Sequence, residues 1–252
     1  MATGFAKVFV VVPTYNEADN VQKLISELLG LPVSGLEVLI VDDGSPDGTG
    51  QIVDTLAAAD TRIHCLHRSG KQGLGTAYVA GFKWALAQGA EVMIQMDADF
   101  SHSPRYIPAM LTALEGCDSV IGSRYTTGGK LDEHWSLWRK LLSWWANSVW
   151  VHLILRTSVS DNTGGFRAWR RATLIGINLD QVRSNGYVFQ VELTYIAYRL
   201  GYTFYEVPIY FEDRQLGQSK MGLAIQIEAA LGVFSLWWRY HRLTPAMRAV
   251  GS

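Results

Sequence analysis

The chain has 252 residues, a formal net charge of −1, 48% hydrophobic residues and two cysteines. A chain of this length can bury a core of its own, and its cysteines have neither CxxC nor Cys/His spacing, so a disulfide scaffold is excluded and structural zinc is not indicated. The near-neutral charge, with no cluster of Lys and Arg, argues against nucleic acid as a partner.

The first 125 residues alternate between short apolar runs and helical patterns. The runs predict strands at residues 8–12, 37–41, 62–67, 91–96 and 118–122. Between the first two, apolar residues recur at spacings of three and four from Val21 to Leu29 and predict a helix that ends at Gly30. Similar stripes follow, and Ser103 before Pro104 predicts the N-cap of a further helix. This alternation is typical of an α/β fold, a mainly parallel Rossmann-like sheet flanked by helices.

After residue 125 the pattern changes. A turn-rich patch covers residues 158–169, a helix is predicted at 187–200, a strand at 203–211, and a loop at 212–222 precedes a final helix. Because no Pro/Ser-rich linker separates the two parts, residues 1–252 are predicted to form a single domain.

Two observations bear on location. The first apolar run, residues 8–12, ends at Pro13 and is too short for a secretory signal, so the chain is expected to start in the cytoplasm. The aromatic segments 135–155 and 234–242 combine Trp and Tyr with Arg and Lys, which favours amphipathic helices at a membrane surface. Packing of these helices on the sheet would explain their leucines equally well.

Polar residues follow the strands where a parallel sheet binds its ligands, beyond the carboxyl ends. The first run is followed by PTYNE, the second by DDGS, the fourth by DAD and the fifth by SRY. Carboxylates, an aromatic ring and an arginine at neighbouring strand ends predict a pocket for a nucleotide with its metal.

Asp97 and Asp99 are the candidate metal ligands, because two carboxylates directly after a buried strand suit a hard divalent cation on a diphosphate. Alone this spacing is weak, and a solvated turn is the alternative. Asp43 is a candidate to hold a base or ribose, whereas Asp42 is predicted to be structural, in the turn that follows. Arg214 and Lys220 could neutralise the charge of a diphosphate. The composition of their loop fits a solvated surface loop equally well.

Ordered motifs between residues 8 and 221 carry a resemblance to a known family. They are VVVPTYNEADNV, VLIVDDGSPDGTG, KQGLGTAYVAGF, IQMDADFSHSP, VIGSRYTTGG, SDNTGGFRAW, SNGYVFQVEL and EVPIYFEDRQLGQSKM. In this order they resemble the dolichol-phosphate (polyprenol-phosphate) mannose synthases, inverting enzymes of glycosyltransferase family 2 with a GT-A fold. The resemblance implies mannose transfer from GDP-mannose to a polyprenyl phosphate lipid on the cytoplasmic face of a membrane, giving polyprenyl phosphomannose and GDP. It also implies that residues 1–252 form a single catalytic domain, with residues 1–125 as its nucleotide-sugar-binding half and residues 126–252 as its acceptor- and membrane-facing half.

The resemblance also implies roles for individual residues. Positions that match the family's nucleotide contacts are Pro13, Tyr15, Glu17, Val41, Asp43 and Ala98. Asp97 and Asp99 match the positions for Mg²⁺ or Mn²⁺, and Arg124, Arg214 and Lys220 match those that hold the diphosphate and the acceptor phosphate. The chain departs from the family at Ser101, where some members supply a Gln ligand, and at Gly165, where Ser or Cys is commoner.

Three alternatives remain beside this interpretation. A relative that uses UDP-glucose would present the same loops, and a non-catalytic nucleotide-sugar or lipid-binding module would not need a metal pair facing a basic loop. An NAD or S-adenosylmethionine enzyme would want a Gly-rich first turn, and this chain has PTYNE there. Many relatives carry C-terminal membrane helices, and no such segment is predicted here. The enzyme would then hold the membrane through its Trp-rich helices or through a separate membrane-anchoring protein.

Overall fold

The computed structural model describes residues 4–132, 141, 144–212 and 223–250. Its strands are β1 (Val8–Thr14), β2 (Leu36–Asp42), β3 (Ile63–His67), β4 (Val92–Gln95), β5 (Ser119–Ser123), β6 (Lys130–Leu131), β7 (Arg167–Arg170), β8 (Phe204–Pro208) and β9 (Tyr210–Phe211). Its α-helices are α1 (Ala18–Leu29), α2 (Thr49–Ala59), α3 (Leu74–Ala87), α4 (Ile107–Leu114), α5 (Val151–Leu155), α6 (Arg171–Ile177), α7 (Gly186–Arg199) and α8 (Leu223–Tyr240).

Seven of the strands form one sheet in the order β3-β2-β1-β4-β7-β5-β8, and β6 pairs with β9 in a second, two-stranded sheet. All pairs in the large sheet are parallel except those of β7, which runs antiparallel to both β4 and β5. The predicted α/β fold with a mainly parallel sheet is confirmed, as are the first five strands. Strands from both halves of the chain lie in this sheet.

The apolar runs are continuous because the sheet is covered on both faces. Along β1, Val8, Val10 and Val12 point into one buried cluster, with α1 and α4. Phe9 and Val11 point into another cluster on the opposite face, with α3 and α7. Because β1 is parallel to both β2 and β4, the carboxyl ends of these three strands lie at the same edge of the sheet, next to a cavity.

Strand β7 was not predicted. The sequence interpretation placed Arg167, Ala168 and Trp169 in a turn-rich patch, yet all three are buried in the middle of the sheet. The strand is short and begins and ends with arginine, so no apolar pattern marks it. Arg167 can be buried there because its guanidinium donates to the carbonyl oxygens of Gly164 (2.8 Å) and Asn162 (2.8 Å).

Two boundaries differ from the prediction. The single strand predicted at 203–211 is divided into β8 and β9, which pair with different sheets. The helix predicted to start at Pro104 starts as a 3₁₀ turn, Pro104–Tyr106, before α4. Ser103 makes no side-chain cap there, since the Tyr106 N–H donates to the backbone carbonyl of Ser103 instead (3.3 Å).

The described parts of the aromatic segments are helical, except that residues 241–242 form a turn. Trp145–Trp150 forms a π-helix that continues into α5, and α8 contains the second segment as far as Tyr240. Residues 135–140, 142 and 143 of the first predicted amphipathic helix lie outside the described residues. Among the described helices, none has the combined length and apolar character needed to cross a bilayer.

Candidate active site

The carboxyl ends of β1, β2 and β4 surround an open cavity, together with the start of α3. Its lining residues are Pro13, Thr14, Tyr15, Glu17, Asp43, Lys71, Gly73, Leu74, Ala77, Asp97, Ala98 and Asp99. Seven of the predicted site residues are thus brought together: Pro13, Tyr15, Glu17, Asp43, Asp97, Ala98 and Asp99. Sequence reasoning did not single out Lys71, whose ammonium lies 4.6 Å from the centre of the Tyr15 ring.

The two metal-candidate carboxylates each accept a hydrogen bond from a hydroxyl group. The Tyr78 hydroxyl donates to Oδ1 of Asp97 (2.9 Å), and the Ser101 hydroxyl donates to Oδ1 of Asp99 (2.6 Å). The backbone N–H of Ser101 donates to the same oxygen of Asp99 (3.1 Å). At the position where some relatives have Gln, this chain therefore has a hydroxyl that contacts the neighbouring carboxylate.

Burial and the charges of Asp97 and Asp99 raise the pKa of Tyr78 well above its ordinary value, so the phenol stays protonated and donates. On the other side of Asp97, Nδ1 of His102 accepts the Asp97 backbone N–H (3.2 Å). His102 is buried and its ring stacks on Phe166 at 5.2 Å. Burial lowers the pKa of His102, which favours the neutral ring that can accept this bond.

Gly165 lies in the loop before β7, close to the carboxylate of Asp97. A Cβ at this position would lie 3.3 Å from Cε1 of His102 and 3.6 Å from Oδ2 of Asp97. The loop that carries the motif SDNTGGFR therefore lies close to Asp97, one of the two candidate metal ligands.

Asp42 and Asp43 have different surroundings. Asp42 is buried and accepts hydrogen bonds from Thr14 Oγ1 (3.2 Å), the Ser45 N–H (3.1 Å) and Ser45 Oγ (2.5 Å), which agrees with its predicted structural role. Asp43 lines the cavity and pairs with Arg68 Nη1 at 2.6 Å. Burial raises the pKa of Asp43, and the charge of Arg68 offsets only part of that effect.

Two predicted residues lie apart from the cavity lining. The Val41 side chain is fully buried, because the alternation along β2 points it toward the side of the sheet that α3 covers. Val41 could therefore contact a nucleotide only through its backbone. Arg124 donates from Nε and Nη2 to the buried carboxylate of Asp161 (both 2.7 Å) and from Nη2 to Thr163 Oγ1 (2.8 Å). Arg214 and Lys220 lie outside the described residues.

Comparison with known proteins identifies the family. The profile described as glycosyl transferase family 2 matches residues 9–176, which include β1, β2, β4 and the Asp97–Asp99 pair. The chain belongs to glycosyltransferase family 2.

Two relatives within this family are similar over most of their length. An undecaprenyl-phosphate mannosyltransferase of Micrococcus luteus is 46% identical over 228 residues, which cover 90% of this chain and 92% of the relative. A polyprenol monophosphomannose synthase of Mycolicibacterium smegmatis is 43% identical over 217 residues, covering 85% and 81%. The predicted resemblance to polyprenol-phosphate mannose synthases is confirmed.

Solved structures support the GT-A fold. A mannosyltransferase from Pyrobaculum calidifontis, in complex with GDP-Man and Mn²⁺, matches 96% of this chain and 67% of its own with a TM-score of 0.63 at 17% identity. A glucosyl-3-phosphoglycerate synthase from Mycobacterium tuberculosis, in complex with Mn²⁺ and UDP, matches 94% and 81% with a TM-score of 0.60 at 16% identity. At these identities the likeness concerns the fold.

The sequence analysis did not single out several residues that lie around the candidate active site. The motif KQGLGTAYVAGF contains Lys71 and Tyr78, but it was used only for the family resemblance, and no chemical role was assigned to its side chains. His102 and Asp161 lie in two other motifs of this kind. A polar residue inside a motif and next to a predicted ligand was the available signal for His102. For Tyr78, only the packing of α3 against β4 reveals the contact.

A second polar cluster lies at the sheet edge, on β3 and α2. Asp54, Cys65 and His67 each place a ligand-type atom within 4.8 Å of the others. Nε2 of His67 contacts Oδ1 of Asp54 at 2.9 Å. Burial, with the nearby charges of Asp54 and Asp42, raises the pKa of Cys65 to about 12, so its thiol is protonated at neutral pH. This cluster takes no part in the cavity.

Proposed function

We propose that this family 2 enzyme transfers mannose from GDP-mannose to a polyprenyl (dolichyl-type) monophosphate, with inversion, giving polyprenyl phosphomannose and GDP. The observation that supports it most strongly is the identity of 43–46%, over most of the chain, to relatives named for this reaction. The Pyrobaculum mannosyltransferase, which has a related fold, is described in complex with GDP-Man.

The cavity offers the groups that a nucleoside diphosphate sugar requires. Asp43 would accept hydrogen bonds from the base or ribose, while Pro13, Tyr15 and Glu17 at the end of β1 would contact the nucleoside. Lys71 also lines this cavity, and its ammonium is suited to the negative charge of a diphosphate.

Asp97 and Asp99 would hold Mg²⁺ or Mn²⁺. Their carboxylate oxygens are the ligands that such hard cations prefer, and both line the cavity at the end of a central strand. Ala98 lies between them and would contact the ligand through its backbone. When bound, the cation stabilises the negative charge of the departing diphosphate.

The acceptor needs little activation. The second pKa of a phosphate monoester is about 6, so the polyprenyl phosphate is dianionic near neutral pH and its oxygen can attack the anomeric carbon without a general base. The new C–O bond forms as the bond from that carbon to the GDP oxygen breaks, through an oxocarbenium-like transition state. The acceptor phosphate would be placed by Arg124, Arg214 and Lys220, whose positive charges would also balance the negative charge of the diphosphate.

An exposed aromatic surface fits the interfacial region of a membrane. It comprises Trp144, Trp145, Leu153, Phe234, Trp237 and Trp238, which are 40–76% exposed. The two segments that carry them touch through Trp150, whose ring lies 5.7 Å from that of Trp145 and 5.3 Å from that of Phe234. The exposed Arg156 and Arg242 adjoin these segments in sequence and could meet anionic headgroups.

This surface would place the enzyme peripherally on the cytoplasmic face of a membrane, where its lipid acceptor is embedded. Attachment through a separate membrane-anchoring protein would use the same surface.

Nucleotide selectivity tests the donor assignment. Calorimetric titration of the purified chain with GDP and with UDP, each in the presence of Mn²⁺, should show binding of GDP that is at least tenfold tighter. Tighter binding of UDP would favour the UDP-glucose-dependent alternative, and binding of GDP without any turnover would favour the non-catalytic module.

A further inference from the structure

The orientation of a metal-binding aspartate is not set by its own rotamer. The terminal torsion of an aspartate side chain is broad and roughly two-fold, so a carboxylate on a turn can rotate unless another group holds it. Asp97 lies just after β4, and its side chain is 31% exposed, so packing alone does not fix it.

Tyr78 provides such a hold on Asp97. Its side chain is fully buried in α3, and its ring packs between Phe82 and Phe189, both at 5.8 Å between ring centres. The rings of Tyr78 and Phe189 are nearly parallel, with 2° between their planes. From this fixed ring the hydroxyl reaches Oδ1 of Asp97 at 2.9 Å.

Asp99 is held in a related way by the Ser101 hydroxyl, at 2.6 Å from its Oδ1. In both carboxylates one named oxygen is thus engaged by a hydroxyl donor. Such partners of metal ligands orient the ligand, and their loss typically weakens metal binding by roughly 10- to 100-fold.

We propose that Tyr78 is a positioning residue for the divalent cation: its hydroxyl fixes the carboxylate of Asp97 in the orientation that binds the metal of the nucleotide sugar. This inference depends on the proposed function, which makes Asp97 and Asp99 the metal ligands. Tyr78 lies behind Asp97 in the core and acts on the metal through that carboxylate.

The competing explanation is that Tyr78 is a core residue whose hydroxyl merely finds an acceptor. The position is flanked by two phenylalanines, so phenylalanine would fill it without a buried hydroxyl to satisfy. The two explanations predict different results when the hydroxyl is removed. The affinity for the metal changes if the hydroxyl positions Asp97, and it stays the same if Tyr78 is only a core residue.

The test compares Tyr78→Phe with Tyr202→Phe in the full chain. Tyr202 is also buried, and its hydroxyl donates to a backbone carbonyl, that of Ala172, at 3.3 Å. Binding of Mn²⁺ is measured by electron paramagnetic resonance of the free ion with saturating GDP, and unfolding is followed by circular dichroism. We expect Tyr78→Phe to raise the Kd for Mn²⁺ at least tenfold, and Tyr202→Phe to change it less than twofold.

Equal Mn²⁺ affinities of Tyr78→Phe and the unchanged chain would overturn the inference, as would equal losses in the two variants. If Tyr78→Phe does not fold, Ser101→Ala tests the same principle at Asp99, and a Kd within twofold of the unchanged chain would contradict it. If the unchanged chain with GDP binds no Mn²⁺, the proposed function fails instead, so the two failures are distinguishable.

Discussion

The two sides of the site are built on different principles. On the donor side, which is proposed to bind the nucleotide sugar, the ends of β1, β2 and β4 place polar residues at an open cavity, and the apolar strands behind them support these residues. On the other side, at the end of β5 and in the loop before β7, charged side chains are themselves buried. The strands of the donor side are therefore held mainly by hydrophobic packing, whereas the loop on the other side is held mainly by hydrogen bonds and ion pairs.

Asp161 is the centre of the second arrangement. Its fully buried carboxylate accepts two hydrogen bonds from the Arg124 guanidinium and one from the Gly164 N–H (2.9 Å). The carboxylate of Glu206 in turn accepts the N–H groups of Ser160 (2.8 Å) and Asp161 (3.0 Å). The shape of this loop is thus specified by polar contacts between distant parts of the chain, and loss of one partner leaves a buried charge uncompensated.

The largest expected effect is on the donor side. Asp99→Ala should lower turnover by a factor on the order of 1,000 or more, because the cation that Asp99 is proposed to hold would supply several kcal/mol of charge stabilisation. Its melting temperature should stay within a few degrees of that of the unchanged chain. Asp180→Ala is the control, since it removes a carboxylate that is 77% exposed. Substantial activity of Asp99→Ala in saturating Mg²⁺ or Mn²⁺ would contradict the metal assignment.

Asp161→Asn should affect stability instead. Removing one partner of a buried ion pair costs about 3–5 kcal/mol, so the free energy of unfolding in urea should fall by about that amount. Asp60→Asn, which breaks the solvent-exposed pair with Arg62, should leave the urea midpoint unchanged within error. A loss no greater than that of the control would mean that the buried pair does not hold this side of the site.

The same pair predicts a pH dependence. Burial alone would raise the pKa of Asp161, but the charge and hydrogen bonds of Arg124 outweigh it, so its pKa lies below the ordinary value of 3.8. A carboxyl whose pKa is lower in the folded state stabilises the fold above its unfolded pKa, which is close to that ordinary value, and loses this contribution as the pH falls through the folded value. The stability difference between the unchanged chain and Asp161→Asn should therefore shrink below about pH 4. A constant difference from pH 7 to pH 3 in urea titrations would refute this.

Substitutions in the exposed aromatic surface should have a smaller effect, on binding to membranes. Phe234→Ser with Trp238→Ser should reduce partitioning onto vesicles with anionic lipid by roughly tenfold, since two large exposed side chains lose their burial in the interface. Tyr205→Ser removes another exposed aromatic ring, on the edge strand β8, and should change partitioning little. Co-sedimentation measures both, and equal partitioning of all three chains would rule out this surface as the membrane contact.

Gly165→Ser should have the smallest effect. The backbone there needs no positive φ, and a Cβ would approach its neighbours no closer than 3.3 Å, so we expect turnover within about threefold of the unchanged chain. Gly75→Ser provides the contrast, because its Cβ would lie 2.4 Å from the Ser184 carbonyl oxygen. If Gly165→Ser lost as much activity as Gly75→Ser, the loop before β7 would be packed more tightly against Asp97 than the structure indicates.

The donor side could be predicted from the sequence because its strands are apolar on both faces and its ligands directly follow them. The position of Asp97 and Asp99 at the cavity was predicted in this way, and their role as metal ligands stays a prediction. The other side could not be predicted, since β7 has no apolar pattern and the partner of Arg124 lies 37 residues away along the chain. Tyr78 illustrates the same limit, because its contact with Asp97 arises from helix packing and not from spacing.

Product formation tests the central claim most directly. The purified chain is incubated with Mg²⁺ or Mn²⁺, a short polyprenyl phosphate and, separately, radiolabelled GDP-mannose or UDP-glucose, and the label in the organic phase is counted. The account predicts lipid-extractable label from GDP-mannose alone. Label from UDP-glucose alone would contradict the mannosyl assignment, and no label from either donor, with lipid vesicles present, would contradict transfer to polyprenyl phosphate.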